Sequence, residues 1–191
     1  TAVFLQGAAG DMSCNKPAEA DDYQKFGALL GREVIAIAQG IETKAPEKPS
    51  IQCLDEDFTF ETRIPFNNPM IQKLFQNAFF PELANASMEW VKDNQYSAHL
   101  TTALINGELA LVGGSGEFFC NHSIRLKERS RAAKTLFLGY CNGHNMYFPT
   151  IEAAAEGGYG GDATVSWVSI GAGELMMNKA LENIYKFSGA Y

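Results

Sequence analysis

The sequence predicts an α/β protein with mixed β-sheets covered by helices, and three observations carry that reading. Apolar, strand-like runs alternate with segments of helical periodicity along the chain. One pair of strands is joined by Asn106-Gly107, a dipeptide suited to the tight primed turn of an antiparallel hairpin. The 191 residues are 46% apolar and 19% charged, an ordinary globular balance that supports a single domain over residues 1–191 with a real core.

Taken in order, residues 2–6 read as a buried strand running into Gly7-Ala8-Ala9-Gly10-Asp11-Met12-Ser13-Cys14-Asn15, where small residues allow a sharp turn and a close approach. A helix follows over about residues 22–41. Tyr23, Phe26, Leu30, Val34, Ile37 and Ile41 recur there at spacings of three and four, and Asp21 or Asp22 serves as N-cap. Residues 43–50, with Pro46 and Pro49, form a surface connection. Residues 51–64 read as one or two strands with Phe58 and Phe60 on one face. Pro65 to Pro69 is a break, and two short helices follow near residues 70–77 and 81–93. The hairpin takes residues 99–105 and 108–112. Its second strand ends in Gly113-Gly114-Ser115-Gly116-Glu117, with a helix from there to about Arg131. Residues 135–140 are another buried strand. A glycine-rich loop over 156–162 precedes a final helix over about 173–187.

Bulk chemistry excludes some functions. The net charge of −7 disfavours a nucleic-acid partner, because an acidic chain repels phosphate backbones. Aromatic residues make up 12% of the chain, which argues against global disorder. No apolar run reaches the ~18 residues that span a bilayer. The chain opens at Thr1 without a Met and goes straight into Ala2-Val3-Phe4-Leu5, which points to sequence upstream that would hold any localisation signal. Cys14, Cys53, Cys120 and Cys141 form no C-x-x-C pair, so a zinc knuckle is not expected. Their apolar neighbours suggest mostly buried thiols, and a disulfide is left open.

Three apolar strands end in small-residue loops that carry a polar group: Ser13, Glu117 and Tyr147. In sheet proteins with covering helices, ligands gather beyond strand ends where such loops converge. Glu117 has two readings, a carboxylate in a first helical turn favoured by the helix dipole, or a metal ligand or base that glycines allow to be approached. Ser115 is rejected as a nucleophile because its flanking residues fail the G-x-S-x-G pattern. His99, His122 and His144 form no metal motif at short spacing and read as hydrogen-bonded or surface histidines. Two glycosylation sequons, Asn85-Ala86-Ser87 and Asn121-His122-Ser123, fall in expected helices and are read as chance.

In order, these loops resemble the neutral, non-lysosomal ceramidase family. The residues that carry the resemblance are Gly10-Asp11-Met12-Ser13-Cys14-Asn15, then Leu111-Val112-Gly113-Gly114-Ser115-Gly116-Glu117-Phe118, then Gly139-Tyr140-Cys141-Asn142-Gly143-His144-Asn145-Met146-Tyr147, and Glu156-Gly157-Gly158-Tyr159. Tyr159 follows Tyr147 by the twelve positions of the family pattern. The resemblance implies that the chain is a later part of a larger catalytic domain. It implies a zinc-dependent amidohydrolase that cleaves ceramide or a related N-acyl lipid into a fatty acid and an amine. The glutamate and tyrosine zinc ligands fall on Glu117 and Tyr147. The family's two zinc histidines would lie upstream of Thr1, and none of His99, His122 and His144 corresponds to them. The tyrosine that polarises the substrate carbonyl falls on Tyr159. Ser13 falls on the serine that engages substrate, as nucleophile or as orienting partner. A lipid substrate implies peripheral membrane contact, and the family implies a secreted or periplasmic setting. Cys14 departs from the family's Pro, and His144 from its first Tyr.

These expectations have a rival from another class, a non-catalytic relative that keeps the scaffold, or a hydrolase of a different ester or amide. Convergence of Glu117, Tyr147, Tyr159 and Ser13 would favour the enzyme; Glu117 pointing to solvent at a helix start would favour the scaffold. With two zinc ligands upstream, the isolated 191-residue chain is expected to bind zinc weakly and to hydrolyse nothing. Robust amidase turnover by that chain alone would contradict the assignment.

Overall fold

The computed structural model describes residues 2–190, except for the side chains of Ser87 and Trp90. They form two compact units, one made of residues up to Met12 with those from Ser50 onward, the other of Ser13–Pro49. The smaller unit is built on helix α1 (Tyr23–Gln39), where the Asp22 carboxylate caps the first turn by accepting from the Lys25 amide at 2.8 Å. The helix forms as its periodicity predicts, yet none of its residues is buried.

The larger unit holds a mixed five-stranded sheet. Strand β1 (Ile51–Glu61) is followed by α2 (Pro69–Ala78), α3 (Pro81–Trp90), β2 (Val91–Lys92), β3 (Gln95–Ile105) and β4 (Leu109–Gly114). Then come β5 (Gly116–Phe118), α4 (Cys120–Arg129), β6 (Lys134–Leu138), β7 (Asn145–Phe148), α5 (Ile151–Glu156) and α6 (Ala172–Phe187). The sheet order is β1-β3-β4-β6, with β2 beside β3. β1, β3 and β4 run antiparallel, and β6 joins β4 in parallel. The hairpin forms as expected: Asn106 and Gly107 both take left-handed angles, φ 54° and 70°, as a type I′ turn requires. A separate two-stranded parallel ribbon, β5 with β7, carries the chemistry described below.

Alternation places the core. Along β3, Tyr96, Ala98, Leu100, Thr102 and Leu104 are buried while their neighbours are more exposed, the period-two pattern of a strand packed on one face. Helix α6 lies over that face with Met176, Met177, Ala180, Leu181 and Ile184 buried. At one end Trp167, fully buried, meets Phe66, Phe75 and Tyr96 with ring centroids at 5.3, 5.5 and 6.3 Å.

Several expectations are corrected. Residues 2–6 form no strand, and Val3 and Phe4 stand 79% and 78% exposed. A strand needs a ladder, whereas among the described residues this run is tied by the Gly139 amide, which donates to the Gln6 carbonyl at 3.0 Å. The second short helix stops at Trp90, and Val91–Lys92 pairs with β3 instead. β7 and α5 were not anticipated. The thiols are not mostly buried: all four are free, with Cys14 and Cys53 exposed and Cys120 and Cys141 intermediate. Cys53 lies on the outward side of β1 with the exposed Ile51, while Leu54 points to the opposite face and confers no burial. Of the two readings given for the histidines, His122 takes the hydrogen-bonded one, meeting the Pro149 backbone rather than the surface. It is 1% exposed, edge-on to Phe118 at 5.7 Å, and burial holds its pKa below the usual histidine range. Both sequons do fall in helices, α3 and α4.

Replacing Trp167 by Ala is expected to lower the unfolding free energy by about 3–5 kcal/mol, the range for emptying a buried aromatic site. The measurement is the urea midpoint at unchanged m-value, and a midpoint that stays put would contradict this account of the core.

A candidate carboxylate–tyrosine site

Glu117 does not begin a helix. It is the central residue of β5, and its Cα partner across the parallel ribbon is Tyr147 of β7. The residues that follow them, Phe118 and Phe148, are fully buried and stack with centroids 4.4 Å apart and planes 5° from parallel. Because side chains alternate along a strand, burying this phenylalanine pair turns Glu117 and Tyr147 together to the opposite side, where both are half-buried. The dipole-favoured first-turn carboxylate is thereby excluded. The helix start belongs to Cys120, whose amide and thiol donate to Asp11 Oδ1 and Oδ2 at 2.6 and 3.2 Å. Asp11 thus caps α4 from a distant loop, since Phe119 offers no side-chain cap.

The loop over residues 7–12 is held beside Glu117. The Gly10 amide donates to the Phe118 carbonyl at 2.9 Å. A Cβ on Gly10 would stand 2.6 Å from the Glu117 carbonyl oxygen, so only glycine permits the approach. Two of the three polar loops therefore converge with the segment that leads to Ser13. Ser13 itself is exposed, outside any helix or strand, and opens the smaller unit.

Tyr159 reaches the pair from a third direction. Its ring stands edge-on to Tyr147, 5.5 Å between centroids at 71°, and it is 79% exposed. Gly158 and Gly160 on either side take φ 84° and 85°, angles that other residues adopt at a cost. A Cβ on Gly160 would press on the rings of Phe119 and Tyr147 at 3.0 and 3.4 Å. Arg63 anchors the loop by donating to the Gly161 carbonyl at 2.8 Å.

A fourth group was missed from sequence. Tyr140 hydrogen-bonds through its side chain to Glu117, and its own amide donates to the Gly116 carbonyl at 3.1 Å. In sequence it is simply the end of a buried strand. The available signal was its place between Gly139 and the small residues Cys141-Asn142-Gly143, the setting that marked the other loops. Ser115 is spent on structure, 2% exposed and accepting from the His99 amide at 2.7 Å.

The electrostatics follow from burial and the carboxylate. Burial raises the Tyr147 pKa most, and its hydrogen bonds to Tyr159 and Glu117 raise it further. Tyr140 is pushed up to about 12, by burial first and then by its hydrogen bond to Glu117 and the negative charge beside it. A phenolate next to a carboxylate is repelled, whereas a neutral phenol donates to it. Glu117 and Tyr147 fit a hard or borderline cation as two neighbouring oxygen donors. Among the described residues no group of three or more His, Cys, Asp or Glu side chains could hold a metal, so the fit is to part of a coordination shell.

No family model matches the chain, and no curated protein matches it. Among solved structures, neutral ceramidase from Pseudomonas aeruginosa superposes on 98% of this chain and 37% of its own length, at 17% identity and a TM-score of 0.66. A ceramidase complexed with C2 covers 51% of this chain and 15% of its own, at 18% identity and a TM-score of 0.42. The chain therefore has the fold of a part of neutral ceramidase, mixed sheets with helices as the sequence predicted, and spans 37% of that solved chain.

The carboxylate's effect on Tyr140 can be read directly. In Glu117→Gln the Tyr140 titration is expected to move partway back from about 12 toward the ordinary tyrosine value, the remainder being burial. Because a raised phenol pKa favours the folded state until the unfolded chain ionises, stability should fall as pH climbs from about 10 upward. Phenolate absorbance against pH checks the first point, and an unchanged curve in Glu117→Gln would contradict it.

Proposed function

We propose that the protein carrying this chain is a zinc-dependent hydrolase of an N-acyl linkage, acting on ceramide or a related N-acyl lipid and giving a fatty acid and an amine. The observation that supports it most is the pairing of Glu117 with Tyr147 across the β5–β7 ribbon, with Tyr159 against Tyr147. The ceramidase-like fold supports the same reading.

In this proposal Glu117 and Tyr147 hold zinc, and two histidines from outside the chain complete the shell. When bound, zinc supplies a Lewis acid that polarises the acyl group and activates water. Tyrosine is an uncommon ligand because its hydroxyl ionises near ~10, and the raised pKa of Tyr147 makes the cation's contribution to its ionisation larger still. The Tyr159 hydroxyl, exposed and flanked by glycines, donates a hydrogen bond to the negative charge that develops on the acyl oxygen. Ser13 enters through the family resemblance, as nucleophile or as orienting partner. Water adds to the acyl carbon, the C–N bond breaks, and the amine leaves with a proton. No helix among the described residues is long and apolar enough to cross a membrane, and the reading places the enzyme in peripheral contact with lipid.

A Glu117 facing solvent at a helix start would have favoured the rival scaffold reading; its half-buried place on a strand supports the enzyme instead.

Metal analysis of the purified full-length protein tests the proposal. Zinc is expected to co-purify with it and to be lost in Glu117→Gln and in Tyr147→Phe. Tyr159→Phe should keep the zinc while amide hydrolysis drops about 10²–10³-fold, the usual loss for an oxyanion donor. Undiminished zinc in both ligand variants would remove the metal assignment. Bound zinc with no turnover of any N-acyl lipid would favour the scaffold.

A further inference from the structure

We infer that Tyr140 is a positioning residue whose hydroxyl fixes the orientation of the Glu117 carboxylate, with its ring backed by His144. The inference rests on the reading of Glu117 as a metal ligand, and it begins with the backbone. Tyr140 takes φ 54°, a left-handed conformation rare for a bulky residue and found chiefly where the surroundings over-determine it, often at functional sites. Three consecutive amides impose it. Gly139 donates to the Gln6 carbonyl at 3.0 Å, Tyr140 to Gly116 at 3.1 Å and Cys141 to Gly114 at 3.0 Å. Tyr140 is thus tied to the residue preceding Glu117, on the edge of β5.

The side chain is packed on one side and 44% exposed. The ring stacks on His144, 5.5 Å between centroids and 14° from parallel. Asn142, also left-handed at φ 57°, closes the turn by donating to Thr101 Oγ1 at 2.9 Å. Glycine or asparagine would satisfy the backbone at position 140 more cheaply. What tyrosine adds is a rigid ring and a hydroxyl that bonds to Glu117.

A carboxylate presents two oxygens and rotates about its terminal torsion. A hydrogen bond to one oxygen leaves the other for a cation, the usual way an outer partner orients a ligand. Tyr147 also meets Glu117, but as a ligand it would turn its oxygen to the cation and have no proton to give. Tyr140 is then the phenol that still donates. His144, which replaces the family's first tyrosine of this segment, supplies the flat surface under the Tyr140 ring.

Zinc affinity of the full-length protein, measured by competition with a chelator, tests this in Tyr140→Phe, Glu117→Gln and the double variant. Tyr140→Phe keeps the ring and is expected to weaken zinc binding about 10- to 100-fold, as loss of an outer partner does, with an unchanged melting temperature. In the Glu117→Gln background the same replacement should cause no further loss, a coupling that a purely structural tyrosine would not show. Zinc affinity that responds to Glu117→Gln but not to Tyr140→Phe overturns this inference alone, as do equal losses in both backgrounds. Zinc affinity indifferent to Glu117→Gln overturns the metal assignment and this inference with it.

Discussion

Phe118 and Phe148 stack face to face at 4.4 Å in the floor beneath the β5–β7 ribbon, and that contact sets the register on which the site depends. Side chains alternate strictly along a strand, so sliding one strand by a single residue would send its polar group inward and its phenylalanine out. Burial of each large aromatic side chain is worth about 1.5–3 kcal/mol, so such a slip would forfeit several kcal/mol. Glu117 and Tyr147 are thus aimed by an apolar contact in which neither takes part. Phe137 and His122 extend the same floor, edge-on to Phe118 at 5.0 and 5.7 Å.

Around that floor, close approach is obtained by omitting side chains. Gly10 lets one loop lie against the Glu117 backbone, and Gly160 lets another bring Tyr159 onto Tyr147. Tyr140 and Tyr159 arrive on loops, while the strands that carry Glu117 and Tyr147 and the α4 helix they border are fixed by the core. This division would suit the proposed site, whose donors must be held closely while the hydroxyl of the largely exposed Tyr159 stays open.

Much of the architecture was legible because its signals are local. Asn106-Gly107 announced the hairpin, and the spacing from Tyr23 to Ile37 announced α1, as did the Asp22 cap. What failed was decided by partners remote in sequence. The run Val3-Phe4-Leu5 has the composition of a buried strand but, among the described residues, no ladder beside it, and Cys53 sits on the open face of β1 while Leu54 turns to the other. Glu117 looked like a first-turn residue because glycines precede it and a helix follows. The deciding fact was that residues 145–148 pair with it, and no local pattern at Glu117 encodes a partner thirty residues away. Tyr140 was missed for a related reason: its left-handed backbone is imposed by carbonyls on three other segments. Glu117, Tyr147 and Tyr159 were named through the family resemblance, and the structure sets them side by side.

The cap that Asp11 places on α4 joins residues 109 apart in sequence. Closing so large a loop carries an entropic penalty that must be met before the contact yields anything, and such contacts slow folding. Helix α4 can take shape on its own local bonds, but its first turn is completed only when the amino-terminal loop arrives. The segment that walls one side of Glu117 is accordingly expected to order late and detach early, and exchange at the Cys120 amide would report its arrival and departure.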